Sequence, residues 1–208
     1  MSMICEYRQL TPAELDKLSR NPDKVEDFLE EFDADDELEG VDVDEDDSDF
    51  GDEEGGAAAA DDKDEEEEEG EDEFALDRDE GSNGVGAMGK YFSLDKSWHA
   101  LHFLLNDHPT DGSGPLFDAI LGGTEIGEDM GYGPPRVLTP NEVRAVAAAL
   151  NKLDKTSMKK KFDPKAMEKH EIYVGNQDFA ELATRLKDLT TFFEEASENG
   201  NGMLLILS

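Results

Sequence analysis

The 208-residue chain carries 54 acidic against 19 basic side chains, a formal net charge of −35. That balance repels polyanions and argues against a nucleic-acid partner, since phosphate contacts need a basic surface. One cysteine, Cys5, leaves no internal disulfide framework and points to a reducing compartment. No apolar stretch approaches the roughly 20 residues of a membrane span and no secretory pattern opens the chain, so a cytoplasmic, membrane-free protein is expected.

In chain order, Ser2 to Gln9 reads as a strand through Ile4 and Tyr7. Thr11-Pro12-Ala13-Glu14 is a helix start, with a Thr cap, Pro at the first helical position and Glu completing a capping box. Asn21-Pro22 begins a second helix, whose Val25, Phe28, Leu29 and Phe32 recur at helical spacing. It runs directly into an acidic stretch. Between Asp33 and Glu80, 28 Asp and Glu face only Lys63 and Arg78, a net of −26; the remainder of the chain holds 26 acidic and 17 basic side chains, a net of −9. Ordering such a segment costs about 1–2 kcal/mol per residue in backbone entropy. Its few apolar residues cannot offset that, so 33–89 is expected to be a disordered insertion. The flexible run from Gly81 to Gly86 closes it.

Structure is expected to resume at Tyr91-Phe92-Ser93. From Leu94, the stripe Trp98, Leu101, His102 and Leu105 reads as a helix with Ser93 or Asp95 as N-cap. Leu116 to Leu121 is a short helix stopped by Gly122-Gly123. Tyr132 to Leu138 is extended, because each proline holds its predecessor out of the α region, and it suits only a sheet edge near those prolines. Thr139-Pro140-Asn141-Glu142 repeats the earlier helix start, with Val143, Val146, Ala147 and Leu150 continuing it. The basic cluster Lys152, Lys155 and Lys159 to Lys161 follows. Asp163-Pro164 opens a helix through Met167, and Ile172-Tyr173-Val174 closes that stretch. Phe179, Leu182, Leu186, Leu189, Phe192 and Phe193 form a long amphipathic helix, and Met203 to Leu207 a buried strand. Two or three strands among about six helices give an α+β domain, several helices on a short, mostly antiparallel sheet, assembled from 1–32 and 90–208.

Several blocks are shared with a known group. They are Met1-x-Met3-Ile4 with Tyr7; Leu94-Asp95-Lys96-Ser97-Trp98-His99-Ala100-Leu101-His102-Phe103-Leu104-Leu105; Pro115 to Gly122; Glu171-Ile172-Tyr173 before a glycine; and the apolar final strand. In these the chain resembles the bacterial YfbM-like proteins, a family of unknown function. The resemblance spans nearly everything outside 33–89, and the Leu-Asp-Lys-x-Trp block is its most specific part. It implies one small α+β domain and no particular activity. The acidic insertion departs from the family pattern, as does Val174, where a proline is often found.

The chemistry-bearing candidates are few. Trp98 and His102 share a helix face at i and i+4, and with Glu171 and Tyr173 they make a candidate pocket; the plainer reading is a core helix whose histidine bonds a buried carbonyl. His99 and His102, at i and i+3, could both face one ion, but with His108 and Cys5 they make no Cys-x-x-Cys or His-Glu-x-x-His pattern and have no carboxylate at a matching spacing, so neither metal nor cofactor is expected. Asp42, Asp44, Asp46, Ser48, Phe50 and Glu53 fit a calcium-loop register, but position 6 is Asp47 where a glycine is needed. No phosphate loop or nucleophile motif is present. The leading expectation is a non-enzymatic binding protein whose acidic segment engages a basic protein partner, in its sharper form as an inhibitor or immunity-type protein. A small-molecule-binding protein or enzyme with a pocket around Trp98 and His102 is the alternative, and a solvated spacer is the plain reading of the segment.

Overall fold

A computed structural model of the chain describes residues 3–29, 87–88, 90–172 and 178–208. Most of the acidic segment, Phe32 and the Tyr173–Val174 pair lie outside these residues, as does the disorder expected of 33–86.

Six strands form one sheet in the order β2-β3-β1-β6-β5-β4, every neighbouring pair antiparallel. They are β1 (Cys5–Leu10), β2 (Ala87–Met88), β3 (Tyr91–Asp95), β4 (Thr124–Glu125), β5 (Arg136–Leu138) and β6 (Gly202–Leu207). The domain is α+β, as its mixture of strand and helix signals implied. Its central strand is β6, whose Met203 and Leu205 face one layer while Leu204 and Ile206 face the other. Both faces are covered, which explains why this strand is a continuous apolar run rather than an alternating one.

On the first face, Tyr7, Phe92 and Leu205 meet the long helix α8 (Phe179–Glu198). Phe92 stacks on Phe192 with ring centroids 5.4 Å apart, and Tyr7 meets Phe193 edge-on at 6.0 Å. Each such pair adds about 0.5–1.5 kcal/mol beyond its buried area. Helices α3 (Trp98–Asn106), α4 (Pro115–Asp118), α5 (Pro140–Leu150), α6 (Lys155–Lys161) and α7 (Pro164–Lys169) complete this layer. On the second face, α1 (Pro12–Arg20) and helix α2 (25–29), entered through a 3-10 turn at Pro22–Lys24, bury Leu18, Val25, Phe28 and Leu29 against Leu10, Val137, Leu204 and Ile206.

Helix starts follow the cap chemistry. Thr11 with Glu14 and Thr139 with Glu142 form reciprocal capping boxes, as does Asp178 with Glu181 at the head of α8. Three sequence expectations change. First, Leu94 is a buried strand residue, and the helix begins only at Trp98. Neither Ser93 nor Asp95 caps it; Ser93 Oγ accepts from the Asp95 N–H at 3.0 Å, and Asp95 turns the chain at φ 49°. The helical spacing continued by chance through a strand and a turn. Second, β5 is not an edge strand. Pro134 and Pro135 lie just before it, Pro135 contributes only its carbonyl to Ile126 N at 2.8 Å, and Arg136 to Leu138 lie between β4 and β6. Third, there are six described strands rather than two or three, because β2 and β4 have two residues each and leave no alternation to read. β2 falls inside the span 33–89, so the domain resumes at Ala87.

Candidate functional site

Trp98 and His102 occupy adjacent turns of α3, a helix buried on most of its surface. The Trp98 ring is 6 % exposed, stacks on His99 at 4.8 Å, and its Nε1 donates to the Met3 carbonyl at 3.1 Å. His102 is fully enclosed. Its ring meets the edge of Phe117 at 5.8 Å, and its Nδ1 lies 3.4 Å from Asn106 Nδ2. The Asn106 amide also donates to the carbonyls of His102 at 3.2 Å and Leu116 at 3.4 Å, tying α3 to α4. Thus the two side chains anchor different elements, Trp98 the N-terminal segment and His102 the α4 turn.

Burial drives the His102 pKa down to about 4, with the Asp111 carbonyl opposing it. His102 Nε2 nevertheless finds no partner in hydrogen-bond geometry, and neither does His99 Nε2. Burial likewise lowers the His99 pKa, opposed by the Pro109 carbonyl. Glu171 sits on the surface beyond α7 in the left-handed region at φ 59°, beside His170, whose ring meets Phe103 rather than His102. Tyr173 lies outside the described residues. Of the four candidate residues, therefore, Trp98 and His102 belong to the packed layer and Glu171 to the exterior. The Cys5 thiol is fully buried and burial pushes its pKa up to about 12. Among the described residues, no group of three or more His, Cys, Asp or Glu is placed to hold a metal ion.

A larger hollow lies elsewhere, where α8 runs past α3, α5 and α6. It measures about 710 Å³. Leu101, Leu104, Leu150, Leu182, Leu186 and Met158 supply its apolar wall. Along α8 the lining residues are Phe179, Leu182, Ala183, Leu186, Lys187, Thr190, Thr191 and Glu194, a continuous stripe at helical spacing. The stripe is apolar from Phe179 to Leu186 and polar from Lys187 to Glu194. At the polar end, Asn151 Nδ2 donates to Glu194 Oε1, and Asp154 caps α6 by accepting from Thr156 N at 3.0 Å and Ser157 N at 3.1 Å. Thr190 Oγ1 donates back to the Leu186 carbonyl at 2.7 Å. No sequence signal marks this groove, because it is made by the packing of α3, α5, α6 and α8 against one another.

The comparisons with known proteins agree with this architecture. Residues 1–206 match the family described as "Domain of unknown function (DUF1877)", and the chain belongs to that family. Among solved structures it is similar to YfbM from Escherichia coli, titled a protein of unknown function, with 18% identity, 99% of each chain covered and a TM-score of 0.57. At that identity the likeness establishes the fold alone. A comparison with curated proteins finds no match. None of the described helices is long and apolar enough to cross a membrane.

Proposed function

We propose that this member of the DUF1877 family is a non-enzymatic, cytoplasmic binding protein whose segment 33–89 engages a basic protein partner, as an inhibitor or immunity-type protein. The observation that carries this reading is the segregation of charge: a net of −26 within residues 33–80 against −9 for all the rest. Such a field accelerates association with a cationic surface and loses its effect as salt screens it. Support comes from the way both flanks are tied to the domain. Before the segment, Val25, Phe28 and Leu29 of α2 are buried; after it, β2 pairs with β3, and Lys90 meets Glu14 at 3.5 Å. The described residues on either side of the segment thus pack on the same sheet.

The competing reading, a small-molecule site around Trp98 and His102, is weakened by their enclosure. The test is a pull-down at low and high salt with the full chain and with a chain lacking 33–86. Recovery of a basic partner by the full chain alone, released by salt, supports the proposal. Identical partners with and without the segment reduce it to a spacer.

A further inference from the structure

Seven lysines fall within 151–169 against Asp154, Asp163 and Glu168, a net of +4 in a chain of −35. The two helices of this stretch turn several of them outward together. Met158 of α6 and Met167 of α7 are buried and set the inward side of each helix. Lys165 and Lys169, one turn apart, stand opposite Met167, and Lys159 and Lys160 point away from Met158. All four are exposed. Lys161 is held by Asp107 at 2.8 Å, whereas these four make no ion pair among the described residues. Two of the three local carboxylates are turned into helix starts. Asp154 accepts from Thr156 N and Ser157 N, and Asp163 accepts from Lys165 N at 3.0 Å and Ala166 N at 3.3 Å.

A cationic face on so acidic a chain has its counterpart within the same sequence. Residues 61–73 hold 11 carboxylates against Lys63, a net of −10. A free polyanion is repelled by the chain as a whole. The run 61–73 is tethered to the domain at both ends, which gives it an effective concentration in the millimolar range. Single exposed ion pairs contribute little, but several on one tethered run act together.

We propose that the acidic run 61–73 docks on the lysine face of α6 and α7 in its own chain, at Lys159, Lys160, Lys165 and Lys169. The chain is long enough for this. Ala87 pairs with Phe92, one strand spacing of about 4.8 Å away. From Phe92 to Trp98 is at most about 21 Å, and α3 adds about 12 Å before Asp107, the partner of Lys161. The path from Ala87 to α6 is therefore no more than about 40 Å, and the 14 residues from Glu73 to Ala87 reach about 46–50 Å. The contact stands independently of the basic partner proposed above, with which the lysine face competes for the same carboxylates.

The test is zero-length carbodiimide coupling of the full chain, which joins a lysine to a carboxylate only where the two touch, followed by peptide mapping. Lys17, Lys24 and Lys90 serve as references, because they lie closer to the ends of the segment in the sequence. At 0.01 M salt, where screening sets in at about 30 Å, links from 61–73 to Lys159, Lys160, Lys165 and Lys169 are expected about tenfold above those to the references. At 1 M salt, with a screening length of about 3 Å, the excess disappears. Tenfold dilution leaves it unchanged. A nitroxide on Glu67→Cys, with Cys5 buried, gives a second readout: the amides of 159–169 broaden more than those of Lys17 and Lys24. Replacing the four exposed lysines by Gln removes that difference. Links spread evenly over all lysines, or amides of 159–169 no broader than the references, overturn the proposal. Links that fall with dilution overturn it in favour of contact between two copies. Failure of the pull-down to find a basic partner leaves this contact untouched, so the two readings fail separately.

Discussion

Replacing residues 30–86 by a short Gly-Ser connector tests how the domain is closed around its insertion. Helix α2 packs over β5 and β6, through Val137, Leu204 and Ile206, whereas the chain re-enters at β2 on the far edge of the sheet. The intervening three to four strand spacings amount to about 14–19 Å at ~4.8 Å each. A two-residue connector reaches at most about 11 Å even fully extended, so it must tear either α2 or β2 from the sheet. Twelve Gly-Ser residues have a root-mean-square span of about 19 Å and bridge the gap unstrained. Putting twelve residues in place of 30–86 shortens the connection by slightly more than two halvings. At about 0.6 kcal/mol each, that stabilises the fold by about 1.3 kcal/mol. With a urea m-value of about 2 kcal/mol/M, the midpoint rises by roughly 0.6 M. Circular dichroism during urea titration measures both variants. If the twelve-residue variant fails to fold, or the two-residue variant matches its midpoint, the placement of α2 and β2 on opposite parts of the sheet is wrong.

Three further outcomes are expected. Tyr7→Phe removes the buried bond from Tyr7 Oη to the Ala119 carbonyl, 3.0 Å long, and leaves that carbonyl unpaired; urea unfolding is expected to show a loss of about 1–3 kcal/mol. His102 has a pKa of about 4 in the fold against about 6.5 when unfolded. The unfolded chain therefore binds the extra proton, so the histidine's contribution is complete above about pH 6.5 and is lost as pH falls toward 4. Comparing thermal midpoints of the protein and of His102→Gln between pH 4 and 8 checks this, and equal acid slopes contradict it. Finally, the Cys5 thiol, buried with its pKa near 12, is expected to resist a thiol-reactive disulfide reagent at pH 8 and to react only at the rate of unfolding.

The parts of this fold that were legible in the sequence are those with local causes. Thr11 with Glu14 and Thr139 with Glu142 announce their helices because the bonds that fix each start span a single turn. The run Met203 to Ile206 declared a buried strand because every position is apolar. Errors arose where distant pairing decides. Leu94 keeps helical spacing with Trp98 and Leu101, yet Tyr91 to Asp95 are held extended by β1, which lies on the other side of the acidic segment in the chain. Trp98 and His102 share a face in the sequence, but their partners, Met3 and Phe117, come from opposite directions along the chain and bury both rings in the packed layer. The groove beside α8 had no sequence signature at all. Its walls come from four helices, and only their docking angles create the gap.

The position of β6 between β1 and β5 sets a waiting time during synthesis. β1 begins at Cys5, and its partner on that side begins at Gly202, almost a full chain length later. Adding about 200 residues at about 5–20 per second takes roughly 10–40 s. Throughout that interval β1 has one unpaired edge, and Leu10, Val137 and Leu138 lack the strand that joins their two halves of the sheet. Such an edge is a template for pairing between nascent chains on one message. The acidic segment, by contrast, emerges early, after α2, and its 28 carboxylates make neighbouring unfinished chains repel one another until β6 arrives.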